Sequence, residues 1–253
     1  MDPGTVVILL FLAGLIAGTL NVIAGGGSLL TMPLMIFLGL PDTVANGTNR
    51  VALLVQNIAA VWSFHRHGII DWSWIRLAAI PGVFGAGLGT WLALAIDDAA
   101  FQRLLAVLLV VIALWTAWNP LAHLKVGDAI EGLDRPGRRA LLGLAFFGIG
   151  IYGGFIQAGI GFIILAVTTL VGLDLVRGNA LKVLFVLCFT PLSLVIFAAG
   201  GKVDWAYGLA LAAGNLAGAL IGVRLTVLKG HTWVRRVVTV TVIVFAVRLW
   251  LWG

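Results

Sequence analysis

A glycine-rich break occurs twice in the sequence, and a short apolar run follows each copy. The first break reads Asn21-Val22-Ile23-Ala24-Gly25-Gly26-Gly27-Ser28, and the second reads Gln157-Ala158-Gly159-Ile160-Gly161. The runs 28–38 and 162–172 would each form about 16 Å of helix, which is about half of a bilayer core of about 30 Å. Interrupted backbone at membrane depth is tolerated only where it lines a cavity or is buried in protein. Paired short, glycine-interrupted segments in two halves of a chain indicate a transporter's binding site.

The composition supports a membrane location for these breaks. The chain is 61% hydrophobic and 10% charged, whereas a soluble domain carries about 25% charged residues. We therefore expect an integral membrane protein that contacts the lipid bilayer and has no room for a soluble domain. The basic residues are spread over short loops, which argues against a nucleic-acid partner. The single cysteine, Cys188, excludes an internal disulfide.

The apolar segments form two related sets. We expect segments at 4–21, 28–39, 43–64, 74–96 and 101–118, a polar connector at 119–137, and segments at 138–154, 162–172, 175–199, 206–227 and 233–251. Gly39-Leu40 recurs as Gly172-Leu173, Asn46 as Asn179 and Asp71-Trp72 as Asp204-Trp205, at one constant spacing.

This recurrence predicts an all-α polytopic membrane protein built from two five-segment repeats. The first repeat would span 1–118 and the second 138–253, with about 8–10 transmembrane segments in total and broken half-helices at the glycine motifs. An odd number of crossings per repeat makes the second copy inverted. Gly85-x-x-x-Gly89 and Gly214-x-x-x-Gly218-x-x-x-Gly222 predict close contacts between helices.

The basic residues predict the orientation in the cytoplasmic (inner) membrane. With both termini on the outer side, the outer loops and the C-terminus would hold only Arg103, Lys202 and Arg248. The cytoplasmic loops, including the connector 119–137, would hold the following larger set: Arg66, Arg76, Lys125, Arg135, Arg138, Arg139, Arg177, Lys229, Arg235 and Arg236. This distribution follows the positive-inside rule. It fixes the side of each loop but not the exact number of spans, because the first two segments could form a re-entrant hairpin.

Two basic residues lie inside predicted spans. Arg50 shares one helical face with Asn46, Asn49 and Asn57, and Lys182 lies on the equivalent face of the second set. A charge at that depth costs about 2.5–3.5 kcal/mol or more unless it faces a cavity or a partner. Each could instead snorkel to an interface or be held by the carbonyls of a broken helix.

The acidic residues favour an anionic ligand for these two cations. All the acidic side chains lie in loops or at segment ends, so no carboxylate is available to pair with Arg50 or Lys182. Helix N-termini at Gly27-Ser28 and Gly161-Phe162 would add oriented N–H groups, and amide side chains would add uncharged donors. The pattern predicts a small polar cavity for an anion, formed in part by Asn57, Gln157, Gly159, Gly161, Asn179 and Lys182.

At these residues the sequence resembles the TauE/SafE family of sulfite exporters and related anion permeases. The resemblance covers nearly the whole chain and rests on Gly18, Gly25-Gly26-Gly27-Ser28, Pro33, Ala45-Asn46-Gly47-Thr48-Asn49-Arg50 and Gly68-x-x-Asp71-Trp72. It implies a polytopic carrier with substrate contacts at Gly25, Gly26, Gly27, Ser28, Asn46, Thr48, Asn49 and Arg50. The second half departs from this pattern, because Gln157-Ala158-Gly159-Ile160-Gly161 stands in place of the triple glycine.

We therefore expect a transporter that exports sulfite or an organosulfonate by alternating access, with no cofactor and no metal. An importer or channel for sulfate, thiosulfate or a carboxylate would use the same site and stays open as an alternative. A retinal photoreceptor using Lys182 is a remote alternative, because no buried carboxylate is available as its counter-ion. An enzyme is not expected, since no buried acid, histidine pair or activated nucleophile is evident. The sequence leaves a homo-oligomer open.

Overall fold

The computed structural model describes residues 2–97, 100, 101, 103, 104, 107 and 136–252. These residues form helices joined by short turns, and no strand occurs among them. In chain order the elements are α1 (Pro3–Ile23), α2 (Ser28–Phe37), α3 (Asp42–Arg66), a π-helical turn (Ile75–Ala79), α4 (Ile80–Ala95), α5 (Pro136–Phe155), α6 (Ile160–Leu170), α7 (Leu175–Ala199) and α8 (Trp205–Trp252). The all-helical prediction is confirmed.

The helices follow the predicted segments closely, with a difference at the start of α5. α5 already begins at Pro136, a residue that suits the first helical turn because its missing N–H would have no partner there. The predicted segments 206–227 and 233–251 correspond to the two helical parts of α8, which a non-helical residue, Gly230, separates with φ 70° and ψ −171°. The predicted segment 101–118 lies outside the described residues except at 101, 103, 104 and 107, and the connector 119–137 lies outside them up to 135.

Four helices end on a glycine with positive φ, and the residue after that glycine donates its N–H to the carbonyl five positions earlier. This is the bonding of a Schellman cap, which satisfies carbonyls that the helix end leaves free. The glycines follow α2, α3, α6 and α7 and are Gly39, Gly68, Gly172 and Gly201. Glycines in the sequence therefore set where these helices stop.

The lengths and surfaces of the helices are those of a polytopic membrane protein. Pro3–Ile23, Ile75–Ala95, Leu175–Ala199 and Trp205–Val234 are long and apolar enough to cross a bilayer. Exposed apolar side chains such as Ile8 on α1, Phe84 on α4 and Val195 on α7 suit contact with lipid. α3 has 25 residues but is more polar, and its polar side chains from Thr43 to Ser63 are buried between other helices.

α3 and α7 lie at the centre and pack on each other, with α3 also against α8 and α7 also against α4. One apolar cluster joins the start of α1, the end of α2, and residues near the starts of α3 and α8: Val6, Leu10, Met35, Ala45 and Leu211. A second cluster joins the start of α5, the residue after α6 and the first turns of α7 to the π-helical turn: Leu142, Phe146, Val171, Leu181 and Ala78. In the first half, α2 therefore returns towards the end at which α1 began.

The small-residue ridges bring two helix pairs into backbone contact. Gly214 and Gly218 of α8 lie against the backbone of α1 at Phe11 and Leu15, and Gly85 and Gly89 of α4 lie against α5 at Phe147 and Ile151. A Cβ built on any of the four would lie less than 3.0 Å from a backbone oxygen. The close contacts predicted from the glycine spacing are present, and they hold α1 on α8 and α5 on α4.

Candidate functional site

The two glycine breaks meet at the centre of the molecule. The N–H groups of Ala24 and Gly25 both bond to the carbonyl of Leu20, which ends α1, and Gly25 has φ 92°. A Cβ built on Gly25 would overlap the backbone of Gly161, and one built on Gly161 would overlap Gly25. Glycine is therefore required at Gly25 by both the backbone conformation and the space.

The second break uses the same bonding but a different residue. The N–H groups of Ile156 and Gln157 both bond to the carbonyl of Tyr152, as those of Ala24 and Gly25 bond to Leu20. Gln157 consequently takes the left-handed conformation that Gly25 takes in the first break, with φ 63°. The Tyr152 hydroxyl donates to the carbonyl of Ala158 and ties this break to α5.

A small polar cavity lies beside the crossing breaks. Its volume of about 10 Å³ is near the minimum that holds one water molecule, so the cavity is closed to any larger solute. Of the predicted site residues, Ser28, Asn57, Gln157, Gly161 and Lys182 line it. The other lining residues are Asn21, Leu53, Gln56, Ile160, Val183 and Val186. The first turns of the short helices α2 and α6 therefore both reach the cavity, through Ser28 and through Ile160 and Gly161.

Arg50 is fully buried at the C-terminal end of α5. Its Nη2 donates to the carbonyls of Gly153, at 3.1 Å, and Gly154, at 2.6 Å, and the guanidinium carbon lies 4.8 Å from the ring centre of Phe197. Asn46, one turn earlier, donates to the carbonyl of Phe155. Arg50 does not line the cavity, and its Nε and Nη1 have no hydrogen-bond partner.

Lys182 makes the corresponding contacts with α1. Its Nζ donates to the carbonyls of Asn21, at 2.7 Å, and Val22, at 2.8 Å, and to the side-chain oxygen of Asn179. Asn179 in turn donates to the carbonyl of Ile23. Each half thus supplies an asparagine and a cation from its third helix to the broken helix end of the other half.

The chemistry of a helix C-terminus explains these contacts. The last carbonyls of a helix have no intrahelical partner, and the end carries a partial negative charge that favours a cation. The sequence left several explanations for the burial of Arg50 and Lys182. The structure shows one of them, because carbonyls at a broken helix end accept hydrogen bonds from both cations. Among the described residues no carboxylate is paired with either cation, and the ion pair between Arg177 and Asp174, at 3.6 Å, lies apart from both.

The remaining predicted residues shape the site without lining the cavity. Asn49 donates to Ser28 and accepts from Thr31, which ties α3 to the first turn of α2. The hydroxyl oxygen of Thr48 accepts a hydrogen bond from the backbone N–H of Asp204 at 2.8 Å, and neither residue belongs to a glycine break. Gly26 and Gly27 belong to the turn before α2, whereas Gly159 precedes α6 with φ 71°.

A hydrogen-bonded group beside the cavity was not predicted from the sequence. The side-chain oxygen of Gln56 accepts from Asn21 and from Asn215, each at 3.2 Å. All three are amides within apolar stretches, and this shared feature is the signal that could have indicated them. Within the ranges that the structure describes, no group of His, Cys, Asp or Glu side chains could hold a metal ion.

A larger cleft opens at one surface, between the loop after α3 and the start of α7. Its volume is about 720 Å³, and it is lined by residues 68–74, by Leu173, Asp174, Val176 and Arg177, and by Ala180, Leu181 and Leu184. An adjoining cleft of about 650 Å³ is lined by Arg76, Arg139 and Arg177 among others. The adjoining cleft therefore has three arginines and one carboxylate, Asp71, in its lining, whereas the 720 Å³ cleft has Arg177 with Asp71 and Asp174.

Comparison with known proteins places this architecture among transporters. The model of the sulfite exporter TauE/SafE family matches residues 10–249. A probable membrane transporter protein of Haemophilus influenzae is 32% identical over 248 residues, which cover 95% of this chain and 93% of that protein. The probable membrane transporter protein YfcA of Escherichia coli K12 is 30% identical over 246 residues, which cover 95% of this chain and 88% of YfcA. No solved structure shows significant similarity to the chain.

Proposed function

Since the chain belongs to the sulfite exporter TauE/SafE family and is similar to proteins named as probable membrane transporters, we propose that it exports small sulfur-containing anions such as sulfite or an organosulfonate. The central cavity carries this proposal. Two short helices begin at it, the buried ammonium of Lys182 lines it, and none of its lining residues is acidic.

The backbone adds to the positive character of the cavity. The first turn of a helix has N–H groups without intrahelical partners and carries about half a positive charge. α2 and α6 have 10 and 11 residues, and both present this turn to the cavity, where carbonyls of the breaks already accept from some of its N–H groups, such as those of Leu29 and Phe162. Oriented N–H groups of this kind bind oxyanions in many unrelated proteins.

Arg50 provides donors that a bound anion can use. Lys182 donates its hydrogen bonds to two carbonyls and to Asn179. Arg50 is fully buried, and its Nε and Nη1 have no hydrogen-bond partner. Leaving charged donors unpaired in the protein interior is costly. In the proposed cycle the anion contacts these two nitrogens when the cavity widens, while Lys182 contributes its charge.

Inverted repeats form the framework of the proposed carrier. Asn46 with Arg50 and Asn179 with Lys182 cap the broken helices of opposite halves. α1 packs on α8 as α5 packs on α4, and the two apolar clusters contain corresponding helices of opposite halves. A pseudo-twofold axis in the membrane plane would produce all of these pairings.

Alternating access is supported by a difference between corresponding loops of the two halves. The carbonyl of Lys202 packs on Gly47, and the N–H of Asp204 bonds to Thr48, so the loop before α8 closes over α3. The corresponding residues Ala180 and Leu181 of α7 instead line the open 720 Å³ cleft. Among the described residues, the loop before α8 thus covers α3 at one end, whereas a cleft separates the loop after α3 from α7 at the other, as we would expect of one state of an alternating cycle.

The proposed orientation makes export favourable. Arg76, Arg139 and Arg177 line the cleft that adjoins the open one, together with Asp71, and the positive-inside rule assigns this end to the cytoplasm. The net positive charge of that lining attracts anions from that side. An anion that leaves a cell with a negative interior gains about 2.3 kcal/mol per charge per 100 mV, so the membrane potential alone can drive efflux.

Charge-removing variants test the anion site. In proteoliposomes loaded with sulfite, Arg50→Gln should reduce efflux and weaken sulfite binding by about tenfold to a hundredfold, because a charge-assisted hydrogen bond contributes about 1.5–3 kcal/mol. Lys182→Gln should weaken binding less, since its donors already bond to the protein. Arg224→Gln is the matched control, because Arg224 is basic but exposed on α8.

A conservative variant separates binding from folding. Arg50→Lys should keep the protein folded, because Lys182 already holds the equivalent helix end with an ammonium group. It should still weaken sulfite binding, since an ammonium lacks the planar fork of donors that suits an oxyanion. If Arg50→Lys and Arg50→Gln both bind sulfite as well as Arg224→Gln does, then Arg50 serves structure alone and the proposed anion site is wrong.

The direction and mode of transport need a separate measurement. An importer or a channel for sulfate, thiosulfate or a carboxylate would use the same cavity. Proteoliposomes with an imposed potential distinguish these alternatives, because a channel conducts in both directions without saturating, whereas a carrier saturates and exchanges labelled for unlabelled anion. Uptake of sulfate or a carboxylate without any flux of sulfite would contradict the proposed substrate class.

A further inference from the structure

Gln157 is the one residue in the cavity lining whose side chain has a buried polar atom without a hydrogen-bond partner. It is 2% exposed, and its Oε1 accepts no hydrogen bond. Buried side-chain acceptors are satisfied in most proteins, so an exception indicates a ligand, a water or a strained site. The partner that suits Oε1 is a group that donates a proton.

The neighbouring residues fix which end of the Gln157 amide is unpaired. Thr190 donates its hydroxyl hydrogen to the carbonyl of Val186 at 2.6 Å, so its oxygen can only accept towards Gln157. The Nε2 of Gln157 lies 3.3 Å from that oxygen and is the donor. If the amide oxygen and nitrogen of Gln157 were exchanged, two acceptor oxygens would face each other, because the Thr190 hydroxyl hydrogen already points to Val186. The unpaired atom of Gln157 is therefore its acceptor oxygen, Oε1.

The backbone supports a role for this side chain that glycine could not fill. Gln157 has φ 63°, in the position that Gly25 occupies in the first break. A non-glycine residue in this conformation is uncommon and is often found where function requires the side chain. Glycine in the first break shows that the turn itself does not need a glutamine.

We propose that Gln157 selects anions that carry a proton, and that hydrogen sulfite rather than the sulfite dianion occupies the cavity. This inference rests on the proposed function. Lys182 and the two helix N-termini offer positive charge to the oxygens of the anion, whereas Gln157 Oε1 accepts a hydrogen bond from its hydroxyl or N–H group. A fully deprotonated oxyanion would place a negatively charged oxygen against this acceptor and is disfavoured.

The test compares sulfite with an anion that has no proton to donate. Binding of sulfite and of methanesulfonate to the purified protein is measured by calorimetry across the pH range in which sulfite takes up its proton. For the native chain, sulfite affinity should rise as the pH falls, and methanesulfonate affinity should stay constant. In Gln157→Gly, affinity for hydrogen sulfite should fall by roughly twofold to tenfold, the loss expected for one hydrogen bond, and the pH dependence should flatten.

Two variants keep the test informative about folding. Gln157→Gly suits the left-handed backbone, so its thermal unfolding midpoint should not fall below that of the native chain. Gln157→Asn keeps an amide acceptor in a conformation that asparagine tolerates and should retain the pH dependence.

The outcomes separate this inference from the proposed function. Tighter binding at high pH, or an unchanged pH dependence in Gln157→Gly, overturns the role of Gln157 while leaving the anion site intact. No binding of either anion to the native chain at any pH removes both the anion site and this inference.

Discussion

Replacing Gly47 with alanine should open the end of the protein at which α3 begins. Gly47 lies under the carbonyl of Lys202, and a Cβ at this position would lie less than 3.0 Å from that oxygen. The loop must therefore move away from α3, and the bond between Thr48 and the N–H of Asp204 would break with it. Ala180 occupies the corresponding position at the open end, so the variant gives both ends the same residue.

The size of the effect follows from these two contacts. Overpacking a tight site by one methyl group costs about 1–3 kcal/mol, and losing the hydrogen bond costs about 0.5–1.5 kcal/mol more. Because 1.4 kcal/mol corresponds to a factor of ten, the closed arrangement should lose at least about tenfold in population relative to the open one.

Thiol labelling measures this shift. In a Cys188→Ala background, a cysteine replaces Val51, which is buried beneath Gly208 at the closed end. Gly47→Ala should raise the labelling rate with a membrane-impermeant maleimide about tenfold. Gly148→Ala is the control, because a Cβ built there meets nothing within 4 Å. Equal labelling rates in Gly47→Ala and Gly148→Ala would show that this contact does not close the protein.

Two further variants test the crossing breaks and the amide group beside them. Gly25→Ala should lower the thermal unfolding midpoint more than Gly39→Ala, because both glycines have positive φ but only Gly25 touches Gly161. Equal decreases in the two midpoints would mean that backbone strain alone causes the loss of stability. Gln56→Leu leaves two amide donors unpaired, which should cost about 1–3 kcal/mol each. If Gln56→Leu and the native chain unfold in detergent at the same denaturant concentration, the predicted loss of stability is wrong.

The positions of the helices could be predicted because a membrane-spanning helix needs a long run of apolar residues. Apolar runs of sufficient length become helices, and glycine with positive φ ends several of them, as at Gly39 and Gly172. The helix end at Pro136 was harder to predict, because this proline starts α5 where a polar connector was expected. Gly230 interrupts α8 between the two predicted segments.

The partners of the two buried cations could not be predicted with the same certainty. Arg50 bonds to carbonyls of Gly153 and Gly154, about a hundred residues away, and every residue offers such a carbonyl. No residue type in the sequence therefore indicates which carbonyls Arg50 contacts. By contrast, the absence of a nearby carboxylate was visible in the sequence, because acidic side chains are few and lie outside the apolar segments.

Satisfied hydrogen bonds do not neutralise the charge at the centre of the molecule. The ends of α1 and α5 each contribute about half a negative charge, and the starts of α2 and α6 each contribute about half a positive charge, so the four helix ends nearly cancel. Arg50 and Lys182 then leave a net positive charge among the described residues, in a region where water is scarce. Carbonyl capping explains how the cations are held, and the proposed anion would supply a countercharge for them. The capping contacts are therefore compatible with the proposed anion site in a helical core that buries two cations.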